Sequence, residues 1–380
     1  MRQWRQPRRR RGLDCVVTSP VVLFRADASF TIGAGHVMRC LTLADGLRER
    51  GWQCRFICRE YPGHLGENIA RRGHAVQLLR ANHEAFKGGD AARLAAPSAE
   101  DAAAVIAWLC GDPPAWIVVD HYSLDAEWEK AVSPHCDRLM VIDDLADRGH
   151  YCDVLLDQTF GRTAAEYREH VSAETTLLCG VDYALLRPEF SIYREHALRR
   201  RTRTDRVEQI LVSLGGGDTE SIVRRVLELL VSAGLPRSCR VKIVMGWGAP
   251  LSADIRLAAQ EAPCSVDVLQ GVDSMASLMA ESDIAIGAAG SSSWERCCLG
   301  LPTVMIVLAD NQRVVGESLA SAGAALLVKM DDMDAHLPIA ATTLVQDHAA
   351  RSAMALRAAS VVDGRGVERV IRAMDAAYAG

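Results

Sequence analysis

Gln209-Ile210-Leu211-Val212-Ser213-Leu214-Gly215-Gly216-Gly217-Asp218-Thr219 reads as an apolar strand that runs into three glycines and then into a helix starting near Thr219. Glycines after a strand let the backbone come close to an anion, and the free N–H groups opening the next helix complement its charge. An ordinary tight strand-to-helix turn has the same composition, so this run alone leaves phosphate binding open. The arrangement recurs as Gly287-Ala288-Ala289-Gly290-Ser291-Ser292-Ser293-Trp294-Glu295, again behind an apolar stretch at 283–286. Three hydroxyls there can donate to phosphate oxygens, and Glu295 stands about one turn into the helix. A carboxylate beside a phosphate repels it unless aimed elsewhere, and ribose hydroxyls are natural donors to it. Its plain alternative is to complement the helix dipole. Two such loops in one half-chain favour a nucleotide.

Outward from these loops, strands at 241–245, 266–269 and 303–308 are each followed by a helical stretch. The first half alternates in the same way, with strands at 21–24, 54–58, 76–79, 116–119, 139–142 and 154–156 and helices near 36–50 and 99–110. Strands alternating with helices give right-handed βαβ units and parallel sheets. The expected fold class is therefore α/β, with two doubly wound Rossmann-like domains whose parallel sheets face an interdomain cleft. Its length of 380 residues fits two domains at roughly 150 residues each. The expected division is a basic extension at 1–20, a first domain at 21–190, a charged linker at 191–206 and a second domain at 207–380. The last helix is a candidate to pack back on the first domain. A polar, Gly-rich segment at 80–98 reads as a long loop.

Composition removes several function classes. A net charge of −5 and 5% aromatic residues argue against nucleic-acid binding. No uninterrupted apolar run of about 20 residues is present, so no membrane span is expected. The twelve cysteines are scattered, without a CxxC pair, and the histidines lack zinc-ligand spacing, so reduced thiols in the cytoplasm are expected, with no metal and no cofactor. Six arginines fall in the first twelve residues, which reads as a disordered extension or an early start in preference to a basic arm for a membrane or partner. GxxxxGK[ST] is absent, and Gly33-Ala34-Gly35-His36 lacks the third glycine and the acidic residue of a dinucleotide fingerprint, so ATP hydrolysis and hydride transfer rank low.

The chemistry-bearing residues of the first half sit at strand ends. His36 opens a helix, where the positive end of the dipole disfavours imidazolium and suits a general base that activates water. Its alternative is a cap or a substrate hydrogen-bond donor; Arg25 and Asp27 on the same loop favour function. Val119-Asp120-His121-Tyr122 ends another strand: Asp120 is a candidate to orient His36 or to bind sugar hydroxyls, and Tyr122 to meet the sugar. Ile142-Asp143-Asp144 ends a third, its paired acids reading as loop caps slightly ahead of a metal or acid/base pair.

Together these segments resemble the UDP-2,4-diacetamido-2,4,6-trideoxy-β-L-altropyranose hydrolases of pseudaminic acid biosynthesis, the PseG family. The matching stretches are RADAS and GHVMRC within 25–40, VVDHY (118–122), VIDDLADRGHYCDVLLDQ (141–158), GVDYALLRPEF (180–190), ILVSLGGGDT (210–219) and GAAGSSSWERCCLGLPTVMIVLADNQ (287–312). The resemblance implies a GT-B-like fold, similar to the peptidoglycan GlcNAc transferase, with the second domain holding UDP and the first supplying chemistry. It implies His36 as base, Tyr122 toward the sugar, Asn311 toward the nucleotide-sugar, Gly215, Gly216, Ser291, Ser292 and Ser293 toward the pyrophosphate and Glu295 toward the ribose; Arg25, Asp27, Gly35 and Asp120 stand beside these as the further sugar candidates. It further implies a UDP-sugar and water as substrates, inverting attack at the anomeric carbon, no metal, and a free sugar destined for a nonulosonic acid such as decorates flagella. A GT-B glycosyltransferase, a UDP-sugar 2-epimerase and a non-catalytic nucleotide-sugar sensor are the rival readings.

Overall fold

A computed structural model describes residues 19–81, 98–203, 205–215, 219–246, 252–272 and 274–379. The first sheet has seven parallel strands, β1 (Val21–Ala26), β2 (Gln53–Arg59), β3 (Ala75–Leu79), β4 (Trp116–Asp120), β5 (Arg138–Ile142), β6 (Val154–Asp157) and β7 (Thr176–Cys179), in the order 3-2-1-4-5-6-7. The second has six, β8 (Gln209–Ser213), β9 (Arg240–Met245), β10 (Ser265–Gln270), β11 (Ile284–Ala288), β12 (Thr303–Val307) and β13 (Leu326–Lys329), in the order 10-9-8-11-12-13. In each sheet the order reverses beside the first strand, and such a switch point opens a crevice at the strands' carboxyl ends.

The helices of the first half are α1 (Gly35–Glu49), α2 (Gly66–Arg71), α3 (Ser98–Leu109) and α4 (Ala126–Val132). Between the sheets runs α5 (Pro188–Arg201), followed by α6 (Glu220–Ser232), α7 (Ala253–Glu261), α8 (Met275–Glu281), α9 (Ser292–Cys298) and α10 (Arg313–Ser321). The chain ends in α11 (Met333–Gln346), α12 (His348–Val361) and α13 (Gly366–Ala379). Among the described residues no helix is long and apolar enough to cross a membrane.

Alternation along β1 shows how the first sheet is clad. Val22, Phe24 and Ala26 join Leu41, Leu43 and Leu47 of α1 in one buried cluster, while Leu23 joins Val105 of α3 and Trp128 of α4 on the opposite face. A strand's period of two sends neighbours to opposite sides, so a sheet buried on both faces reads as a continuous apolar run. Val370, Ile371 and Met374 of α13 complete the α1-side cluster, so the last helix lies on the first sheet. To reach it the chain passes back beside its outward crossing, where a Cβ on Gly366 would lie 2.1 Å from the Ala184 carbonyl oxygen. Only a glycine fits there.

Residues 191–206, expected as a linker, are mostly not one. Through Arg201 they form α5, whose Phe190 and Ala197 are buried with Trp294 and Leu299 of the second half. Two of its arginines are absorbed by backbone: Arg201 donates to the carbonyls of Leu299, Ser282 and Met279, and Arg194 to those of Val362 and Ala359, while Arg200 pairs with Asp283. The two edge strands β7 and β13 extend the sheets beyond the sequence expectation. Of the basic extension, residues 1–18 lie outside the described residues, as does most of the 80–98 loop.

Candidate active site at the interdomain cleft

The carboxyl ends of β1, β4 and β5 face those of the second sheet across a cleft. Asn311, just after β12, donates from Nδ2 to the Tyr122 hydroxyl at 3.3 Å, and a Cβ on Gly35 would lie 3.7 Å from Ser291 Oγ. Between them a cavity of about 380 Å³ is lined by Tyr122, Leu145, Asp147, Arg148 and Asn311.

His36 is the second residue of α1, and its Nδ1 lies 2.6 Å from Asp120 Oδ1. Asp120 is fully buried at the end of β4 and also accepts from Arg39 Nε and Nη2. Burial works against its ionisation, but Arg39 and then His36 outweigh this and hold its carboxyl well below the usual range. An ionised Asp120 can only accept, so His36 Nδ1 carries the proton and Nε2 is left as an acceptor. Arg39 Nη2, 3.3 Å from the same Nδ1, is a neighbour and not a partner, because both groups donate. Among the described residues Nε2 has no hydrogen-bond partner. The Tyr122 ring meets the imidazole edge-on at 4.7 Å, which fixes its plane. Burial and then Asp144 push the Tyr122 hydroxyl up, so it stays a neutral donor and acceptor.

Arg39 was not foreseen, although it lies three residues after His36, the spacing that puts two side chains on one helix face. It ties Asp120 to Asp144, donating to Asp144 Oδ2 at 3.0 Å. The loop after β5 was legible in part. Asp143 Oδ2 caps it by accepting from the N–H groups of Leu145 and Ala146, and Ala146 takes φ 54°. Behind the loop, His150 is clamped between Glu129 Oε1 at 2.7 Å and Asp143 Oδ1 at 3.7 Å, while Tyr167 donates to Asp143. This buried set turns Leu145, Asp147 and Arg148 to the cavity, none of which the sequence singled out.

Three expected sugar contacts need correction. Arg25 and Asp27 are fully buried and do not reach the cleft. Arg25 forks onto Asp27 and Asp101; Asp101 also takes Arg59 and the Trp128 indole N–H. Burial opposes ionisation of Asp27, yet Arg25 and His121 hold its carboxyl far below the ordinary range. Arg25 shares β1's inward face with Leu23, away from α1, which sends it into the sheet's α3 side. The third is Asp120, which is fully buried and bound to His36, the first of the two roles its place at the strand end allows.

In the second half, Gly215 is exposed at the end of β8, and Gly216 lies outside the described residues. Ser291 is exposed and faces Gly35, and Ser292 is half-buried. Ser293, expected at the phosphate, is instead 1% exposed and accepts from Arg296 Nη2 at 3.1 Å. Glu295 is half-buried, 3.6 Å from Arg187 Nη2; burial pushes its carboxyl up and Arg187 counters it. Among the described residues no group of His, Cys, Asp and Glu is arranged to hold a metal ion.

Residues 210–368 match the glycosyltransferase family 28 C-terminal domain. A MurG from Acinetobacter baumannii covers 94% of the chain and is itself covered to 99%, with a TM-score of 0.69 at 17% identity. The chain has a GT-B fold. In this GT-B frame the two sheets share one cleft, and His36 and the β11–α9 loop stand on its opposite banks. The chain is 23% identical to the spore coat polysaccharide biosynthesis protein SpsG of Bacillus subtilis over 93% of its own length and 97% of that protein's. It is 25% identical to the UDP-2,4-diacetamido-2,4,6-trideoxy-beta-L-altropyranose hydrolase of Campylobacter jejuni over 80% of this chain and 97% of that one. A GT-B fold, a family 28 domain match and a hydrolase among the relatives make this protein an enzyme.

Proposed function

We propose that this enzyme hydrolyses a UDP-activated 2,4-diacetamido-2,4,6-trideoxyhexose at the anomeric C–O bond, with inversion, releasing UDP and a free sugar for pseudaminic acid synthesis in the cytoplasm. The observation that carries the reading is the His36–Asp120 pair, with Nδ1 bound at 2.6 Å, Nε2 without a partner among the described residues, and the ring set against Tyr122 of the cavity lining. The hydrolase from Campylobacter jejuni, matched along nearly its whole length, supports the substrate class.

Each residue then has a task. Nε2 of His36 takes a proton from water as the water oxygen bonds to the anomeric carbon. The bond from that carbon to the diphosphate oxygen breaks, and its electron pair leaves on UDP. Asp120 holds the tautomer and balances the imidazolium that forms, while Arg39 keeps Asp120 ionised. UDP is already a good leaving group, so donors at the diphosphate matter more than an acid at the bridging oxygen. Ser291, Ser292 and Gly215 border that position, and Glu295 is available to the ribose. Tyr122 and Asn311 reach the sugar from opposite sides of the cleft.

The match of residues 210–368 to a glycosyltransferase domain favours a second reading, transfer of the same sugar to an acceptor. Incubation with UDP-sugars in ¹⁸O-water without acceptor separates the two. Hydrolysis puts label on the sugar C1 and releases UDP; release of UDP only after an acceptor is added overturns hydrolysis in favour of transfer.

A further inference from the structure

Arg296 is a buried cation in the middle of the second half whose nearest acidic neighbour acts on it only at a distance. It is 2% exposed, and among the described residues it has no ion-pair partner. Its nearest acidic neighbour in sequence, Glu295, turns to Arg187 instead. Nη1 donates to Ser292 Oγ at 3.0 Å, and Nη2 donates to the Ala288 carbonyl at 2.6 Å and Ser293 Oγ at 3.1 Å. Nε has no partner. The guanidinium lies flat on β11, where a Cβ on Gly287 would come within 2.5 Å of Nη1, so the glycine makes room for the arginine. A buried charge without an ion pair is costly, and burial, countered only weakly by Glu295, pulls this group down to about 10, which still leaves it cationic at neutral pH.

Two consequences meet at Ser292. A serine oxygen that accepts on its buried side keeps its one O–H for a partner on the open side. Ser292 is half-buried on the loop whose Ser291 faces Gly35 across the cleft. The charge behind it strengthens that O–H as a donor to an anion. We infer that Arg296 is the positioning residue of the anion end of the site: it fixes Ser292 as a donor to a diphosphate oxygen and supplies the positive charge that the bound diphosphate offsets. The inference rests on the UDP-sugar reading and adds to it a residue that never touches the ligand.

The test compares UDP with uridine, which lacks the phosphates, by titration calorimetry and by competition. Ser292→Ala, on the open side of the loop, and Arg296→Lys, which keeps a charge but cannot fork onto three acceptors, are each expected to cut the ratio of UDP to uridine affinity about tenfold. The double variant is expected to fall no further than about twofold below the weaker single, because both remove one coupled device. Gly287→Ala, which displaces Arg296 without changing it, is expected to lower the same ratio. Equal losses for UDP and uridine, or full additivity of the two singles, overturn the inference and leave Arg296 a packing residue. Wild-type protein that binds no UDP overturns the functional reading together with it, whereas UDP binding that Ser292→Ala and Arg296→Lys leave unchanged overturns this inference alone.

Discussion

Across the cleft the first half presents His36, Arg39, Asp120 and Asp144 joined by charge-assisted bonds, while the second presents the uncharged Gly215, Ser291, Ser292 and Asn311, with Glu295 half-buried beside Arg187. In the first bank the charges are paired with one another, so the dyad's geometry is set before any ligand arrives. In the second, Arg296 lies buried beneath Ser292 with no ion-pair partner among the described residues. Preorganised pairs suit proton transfer, which needs fixed geometry, and a cation without an ion pair suits holding, which needs an affinity for charge. The division of labour therefore lies in how each bank's charge is satisfied.

Removing one side chain from each bank breaks this contrast most directly. His36→Ala is expected to lower kcat by about 10²–10⁴-fold while UDP affinity stays within a few fold. Turnover assays and calorimetry on the same preparation check it, and near-normal turnover removes His36 as the base. Glu295→Ala, on the opposite bank, is expected to act the other way: about a tenfold loss of UDP affinity, from one lost hydrogen bond to the ribose, with kcat nearly kept. If UDP binds Glu295→Ala as tightly as wild type, Glu295 serves Arg187 and the helix end alone.

The sequence carried the frame of the molecule further than its charges. Every strand of the two sheet centres was legible as an apolar run, because a strand buried on both faces has nothing else to be. The edge strands β7 and β13 were missed, being four residues long and half covered. The charged run at the end of α5 reads as a solvated helix end and linker, since charge reads as solvent until the carbonyls that absorb Arg201 are seen. At the site, His36 was legible from its place at a helix start. Arg25 and Asp27 were misplaced because Asp101, the partner that buries Arg25, is 76 residues away and nothing local announces it. Arg296 adjoins the quoted loop, but its role depends on a glycine nine residues earlier making room for it.

The smallest expected effect is one of pH, and it belongs to the charged bank alone. His150 is buried between Glu129 and Asp143 behind the loop that carries Leu145, Asp147 and Arg148. Burial alone would lower its pKa, but the Asp143 carboxylate at 3.7 Å and the hydrogen-bonded Glu129 carboxylate push it up to about 9. A histidine raised in the folded state contributes stability that is fully present below its unfolded pKa, roughly 6.5. That contribution drains away as pH climbs through 9. The thiols of Cys54 and Cys297 are pushed up to about 12 and those of Cys179 and Cys298 to about 11, so they too favour unfolding once pH passes the unfolded thiol value of roughly 8.5, a contribution that a change at His150 leaves in place. Thermal unfolding of wild type should therefore weaken between pH 7 and 9.5, by on the order of 2 kcal/mol. In His150→Gln that slope should flatten, with lower stability already at pH 7, because glutamine cannot carry the charge that two carboxylates face. An unchanged slope in the variant means that His150 is neutral in its clamp, and that the cavity-side loop is held by Asp143, Tyr167 and Arg148 without it.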